Sequence, residues 1–442
     1  MKGLTKKAVV HIGALIKGML FTGFSIQILL GAGWMCFHFL YRQDFAEADS
    51  AFYLWIFRLL GENCQIMYLV QLLFAFYAGY RFLALLCGRD GGIYPKYGRL
   101  YIVWGSLALL TFPFAMQCHL AVQPFSFMGS LFLLMLSFLV EIMIHPGHFS
   151  KGKKGRRRKV GFLAAAVLCA GFVTMLSGVA DRREGEPERS LASAMARRMA
   201  WPDLWNDSEF WPEELREIAG DVAFQASMSA DNMELLFAAV EERAGAELAR
   251  EYYRQMAEIG WRQHSTFIIH RIAWDILGYT ITPLVFPKQM EGMLFDSYTG
   301  SNYEVMWRHM PVYTNHYVKY GCWWFGCFLI LAAVLTILHI FTENFHGTGP
   351  GIRHESCGAS VLPGKRKVLA VGICILATGI LVAVLVMRGA GRMDYRYTIA
   401  VNGLWMLWAL RQGYGRCGIQ EEAGGKCPEQ ICETEDDGQS KV

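Results

Sequence analysis

Three carboxylates, Asp44, Glu47 and Asp49, stand together just beyond the first long apolar run of the chain. On a helix Asp44 and Glu47 share a face, being three apart. A carboxylate beside low-dielectric surroundings is favoured in its protonated form and suits general-base or metal-ligand chemistry. The same charges equally suit a solvated loop that marks a membrane boundary. A second set is cationic: His119, then His316 and Lys319, then Arg388, Arg392 and Arg396. The planar fork of arginine donates two parallel hydrogen bonds to a phosphate. Lys and Arg near the ends of membrane spans also reach out to headgroups for purely physical reasons.

For these two sets to meet, the elements between them must end at one surface. The chain has 442 residues, 54% hydrophobic and 14% aromatic against only 18% charged. That is too apolar for an ordinary soluble domain and points to a polytopic membrane protein. The run 151–159, KGKKGRRRK, holds seven basic residues in nine positions. A basic block elsewhere would suggest nucleic acid, but here apolar runs long enough to cross a bilayer flank it at 125–145 and 160–180. Short loops rich in Lys and Arg stay inside, so it is expected as a cytoplasmic loop in contact with anionic membrane lipids, with no nucleic-acid partner.

From that anchor the remaining spans follow at 18–40, 65–87, 100–122, 321–341 and 368–387. A last one at 398–410 has only 13 residues and contains Asn402. The fold class expected is all-α, with about eight transmembrane helices and one helical extracytoplasmic domain between spans five and six. The organisation is a five-span region 1–180, the helical domain 181–320, a three-span region 321–411 and a disordered cytoplasmic tail 412–442. The first apolar run is longer than a signal-peptide core, so it is read as a retained span. The protein is then integral to the plasma membrane, multi-pass, with amino and carboxyl termini cytoplasmic. Residues 181–320 carry 22 Asp and Glu against 14 Lys and Arg, which agrees with an external location.

Within 181–320, Ser190 caps one expected helix and Pro212 begins another. Helical tracts are expected at 231–260 and 265–277, with a proline-broken segment at 280–287 lying along the membrane surface. Trp201, Trp211, Trp261 and Trp274 are either a carbohydrate-stacking surface or core and interfacial aromatics. The region lacks cysteine, which excludes a disulfide scaffold, and the cysteines of the apolar runs read as small fillers. Cys417, Cys427 and Cys432 lack a fourth ligand nearby, and His145 and His148 lack a third. No GxxxxGK[ST], GxSxG or HExxH occurs, so ATP-driven transport, serine hydrolysis and zincin proteolysis lack support. Within the spans, the charges singled out are Arg81 and Glu141 near the cytoplasmic ends, a sparse set for an ion-coupled transporter.

The stretches 43–50 (QDFAEADS), 110–120 (LTFPFAMQCHL) and 393–397 (MDYRY), together with the order of spans, resemble the GT-C class of membrane glycosyltransferases, among them the protein O-mannosyltransferases. The resemblance implies an acidic first external loop, a many-span bundle and extracytoplasmic helices between later spans. It also implies a polyprenyl-phosphate-linked sugar donor and an envelope glycan, lipid or protein hydroxyl as acceptor. Asp44, Glu47 or Asp49 would be the base; His119, His316, Lys319, Arg392 and Arg396 would hold the donor phosphate. Where many relatives carry a second acidic residue, at the outer junction of spans three and four, this chain has His119 and Gln123, so a divalent metal is left open as cofactor. The alternative is a non-catalytic transporter, lipid flippase or assembly protein that uses the external helices as a binding module.

Overall fold

The computed structural model of the chain describes residues 2–41, 51–87, 95–144, 153–176, 241–242, 245–285, 310–346, 372, 374–384 and 398–414. The acidic stretch with Asp44, Glu47 and Asp49, the loop with Arg388, Arg392 and Arg396, the segments of Ser190, Trp201, Trp211 and Pro212, the pair His145 and His148 and the tail cysteines lie outside them. Among the described residues all regular structure is helical and there is no strand. A chain surrounded by hydrocarbon must pair its own backbone groups, and a helix does so within one segment.

In chain order the helices are α1 (Lys2–Tyr41), α2 (Ala51–Leu59), α3 (Cys64–Cys87), α4 (Pro95–Leu110), α5 (Pro113–His119), α6 (Phe125–Ile144) and α7 (Lys153–Leu176). They continue as α8 (Ala246–Thr280), α9 (Thr282–Val285), α10 (Met310–His346), α11 (Cys374–Val384) and α12 (Ile399–Tyr414). Five of them, α1, α3, α6, α7 and α10, are long and apolar enough to cross a membrane, and α4 with α5 makes a sixth if a pair bent by 77° is one span. The run expected as the third span at 100–122 is therefore two helices, α4 and α5, and not one. The basic run, expected as a loop, is helical from Lys153 and continuous with α7. Lys and Arg are good helix formers, and the apolar turns that follow propagate the helix backwards into them.

Helix α3 packs on α4 and α6, α6 on α7, and α1 on α10. In the α1–α10 contact aromatic side chains of α10 meet glycines of α1 at Gly23, Gly31 and Gly33 and rings of α1 at Phe24 and Trp34. Tyr313 and Tyr320 donate hydrogen bonds to the carbonyls of Leu30 (2.5 Å) and Gly23 (2.8 Å), and the ring of Trp324 lies where a side chain on Gly23 would stand. Helix α10 is already helical at Met310, before the expected span at 321, and Tyr317 in this early part is buried in the bundle. Helix α12, expected as the weakest span, lies among α1, α3, α4, α6 and α10 with Asn402 and Thr398 fully buried. Tyr101 of α4 holds its end by donating to the carbonyl of Leu410 (2.7 Å).

Of the tract expected at 231–260, residues 231–240 lie outside the described residues and Gly245 (φ 78°) interrupts it; the part from Ala246 and the tract expected at 265–277 form one helix, α8, kinked at His264 (φ −128°, ψ 30°). Its end docks on the bundle, where the indole of Trp405 donates to the carbonyl of Thr280 (3.0 Å). Trp261 and Trp274 are exposed on α8, so neither is a core residue. The described cysteines are free thiols, with Cys118, Cys169 and Cys322 buried, in keeping with a filler role.

Candidate functional site: the broken span

The break between α4 and α5 follows from Pro113. Proline disfavours helical geometry in the residue before it and brings no N–H, so Phe112 is extended (φ −65°, ψ 130°) and a new helix starts at Pro113. Breaking a helix inside a membrane frees carbonyls that water cannot reach. Such breaks are tolerated where the protein itself supplies donors. Here three side chains from three other helices do so.

Gln27 of α1 donates from Nε2 to the carbonyl of Ala108 (2.7 Å), in the last turn before the break. Tyr317 of α10 donates to the carbonyl of Thr111 at the break itself. Gln71 of α3 uses both N–H groups of its amide on the far side of α5, donating to the carbonyls of His119 (3.0 Å) and Ala121 (2.9 Å). Its Oε1 accepts from the hydroxyl of Tyr53 on α2 (3.3 Å). All residues from Leu110 to Val122 are buried, and Gln123 is half-buried where the chain passes into α6.

His119 ends α5 at this junction. Its Nδ1 lies 2.7 Å from Oγ of Ser126, at the start of α6, and the residue is only 3% exposed. The two atoms share one proton, and the tautomer decides which of them donates. His119 is thus part of the wall between α5 and α6, with its ring turned to Ser126 and not to an open surface. His316 and Lys319 stand on the exposed face of α10 together with Trp323, whereas Tyr313, Tyr317 and Tyr320 occupy the face towards α1. The structure does not bring His316 and Lys319 to His119. The carboxylates Asp44, Glu47 and Asp49 and the arginines Arg392 and Arg396 lie outside the described residues. Among the described residues no three His, Cys, Asp or Glu converge as metal ligands.

Gln27, Tyr53, Gln71, Ser126 and Tyr317 were not singled out from the sequence. The available signal was a polar residue inside an apolar run, which in a membrane needs a partner. Gln27 and Gln71 each carry it. Nothing local points to Tyr53 or Tyr317, since tyrosine is common at the ends of spans. At the opposite end of the bundle Arg81 of α3 donates to Ser137 Oγ (3.1 Å) and Glu141 Oε2 (2.7 Å) of α6. Its guanidinium also lies 4.3 Å from the ring centre of Phe138 and 5.4 Å from that of Phe162 on α7. The two intramembrane charges are therefore a structural clamp of α3, α6 and α7.

No protein-family model, curated protein or solved structure matches the chain.

Proposed function

We propose that the protein is an integral membrane glycosyltransferase of GT-C type, with about eight spans, both termini cytoplasmic and its site on the extracytoplasmic face of the plasma membrane. The observation that carries this reading is the hydrogen-bonded path Tyr53–Gln71–His119. Tyr53 is buried and stands four residues after Asp49. Four residues of chain reach at most about 14 Å, so Asp49 is within that distance of Tyr53 whatever its conformation, while Glu47 and Asp44 have six and nine residues of chain. That supports a carboxylate and the broken span acting at one place.

In this reading the acceptor hydroxyl loses its proton to Asp44, Glu47 or Asp49 as its oxygen attacks the anomeric carbon. The bond from that carbon to the phosphate oxygen breaks, the electron pair leaves on the polyprenyl phosphate, and the configuration inverts. Arg392 and Arg396 meet the charge that develops on the leaving phosphate. His119, held by Ser126, positions the floor of the site by fixing the α5–α6 turn.

A second reading is favoured by the break itself. Discontinuous helices buried in a bundle are also how transporters build a binding site, so a flippase for the same class of lipid is the alternative. Membranes containing the protein, or D44N, E47Q and D49N, are assayed for sugar transfer from a radiolabelled polyprenyl-phosphate donor. Loss of transfer in at least one variant supports the enzyme. Equal transfer in all three removes the proposed base. Movement of labelled lipid between leaflets without transfer selects the flippase.

A further inference from the structure

Helix α7 carries a second feature that the proposed reaction does not use. Its buried side, with Ala166, Cys169 and Leu176, packs on the bundle, and the other side is exposed, although the Phe172 ring also meets that of Phe52 on α2 (5.8 Å between centres). Val160, Leu163, Val167, Leu168, Phe172 and Met175 are all exposed there. Arg156 precedes Val160 by one turn and Arg157 precedes Gly161 by one turn, so the two flank the line of Val160 within the exposed arc, while Lys159 lies at its margin, towards Ala166. All three cations are exposed, and none makes an ion pair among the described residues. Arg158 is exposed as well, and its guanidinium lies 6.0 Å from the ring centre of Phe162, one turn on.

The result is one stripe with a cationic head and an apolar body. From Arg157 to Leu168 a helix rises about 16 Å, close to one leaflet of a hydrocarbon core of about 30 Å. No acidic residue occupies the first turn of α7, where the peptide dipoles make cations least comfortable and an anion most welcome. A water-soluble anion would match the head alone. A phospholipid with a net negative headgroup matches both parts.

We propose that this stripe of α7 is a binding face for an anionic phospholipid, with the headgroup phosphate between Arg156 and Arg157 and an acyl chain along Val160, Leu163 and Val167. The proposal stands independently of the glycosyltransferase reading and of which end of the bundle faces the cytoplasm.

The test uses the full chain in nanodiscs, first of phosphatidylcholine alone and then with phosphatidylglycerol added. Lipids retained after extraction into mild detergent are counted by native mass spectrometry, and thermal unfolding is followed in parallel. Wild type retains phosphatidylglycerol over phosphatidylcholine. The R156Q/R157Q variant loses about 30-fold of that preference, at about 1 kcal/mol for each cation near the surface. Its melting temperature in phosphatidylcholine stays that of wild type, and the charge-matched R254Q/R262Q variant on α8 keeps the preference. Three results overturn the proposal: no preference in wild type, equal loss in R254Q/R262Q, or inorganic phosphate competing the lipid away at millimolar concentration. If R156Q/R157Q unfolds early in phosphatidylcholine, V167N, which leaves the cations in place, decides instead. Weakened retention in V167N supports the stripe, and unchanged retention overturns it.

Discussion

Gln71→Leu is the sharpest test of the broken span. The side chain of Gln71 is fully buried and nearly the volume of leucine, so the change removes hydrogen bonds and leaves packing almost intact. Three bonds go: two to the carbonyls of His119 and Ala121, and the one accepted from Tyr53. Side-chain hydrogen bonds in membrane proteins average about 0.6 kcal/mol, which gives a total of about 2 kcal/mol. Two carbonyls are then left in a buried junction without donors, and the cost of orphaning them raises the figure towards about 3 kcal/mol. The measurement is reversible unfolding in mixed detergent micelles against sodium dodecyl sulfate, read by circular dichroism. A Tyr53→Phe variant removes the 3.3 Å bond to Gln71 and loses less than about 1 kcal/mol by it. Combined with Gln71→Leu, the two losses are less than additive, because the bond they share is lost once. If Gln71→Leu unfolds within about 0.5 kcal/mol of wild type, the α5–α6 turn does not depend on this amide and the path from Tyr53 to His119 has no support.

The remaining expectations concern packing and charge. Gly31→Ala is destabilising by about 1–3 kcal/mol, because its Cβ would stand 2.6 Å from Cβ of Thr111 and 2.9 Å from the Tyr317 hydroxyl; Gly171→Ala, with nothing within 4 Å, is neutral or stabilising in the same unfolding assay. Glu141→Gln leaves Arg81 without its carboxylate and costs about 2 kcal/mol, below the full penalty of a buried pair because Arg81 is 22% exposed. Glu62→Gln, whose partner Arg58 is 3.9 Å away in solvent, changes stability by less than about 0.5 kcal/mol. An equal effect of the two glutamine variants would refute the clamp.

Much of the membrane architecture was legible because its signal is local. The runs at 18–40, 65–87, 125–145, 160–180 and 321–341 each contain enough apolar residues to cross a bilayer, and each corresponds to a long apolar helix. The run at 100–122 has the same composition, yet Pro113 divides it. Proline inside an apolar run is ambiguous in sequence, since a kink and a break differ only in whether neighbouring helices supply donors for the freed carbonyls. Gln27, Gln71 and Tyr317, distant in the chain, decide for the break.

The candidate site divides along the same line. The residue types that could do chemistry, the carboxylates at 44–49 and the arginines at 392 and 396, are visible in sequence. Their arrangement is not, because which carboxylate meets which cation depends on helix ends that converge only in three dimensions. His119, His316 and Lys319 illustrate the point. All three read as cations near one membrane surface, but the face of α10 that carries tyrosines turns inward and takes His316 and Lys319 away from His119.

By itself, then, the amino-acid sequence determined that this chain is helical, that it carries apolar helices long enough to cross a membrane, and where most of them lie, because hydrophobic length and backbone self-satisfaction are properties of one segment at a time. Only the tertiary structure decided that α12, short and bearing Asn402, belongs at the centre of the bundle, that α4 and α5 part at Pro113, and that a cationic head and an apolar face share one exposed side of α7. Those outcomes depend on which neighbours cover a segment, and burial by neighbours is a property of the whole fold.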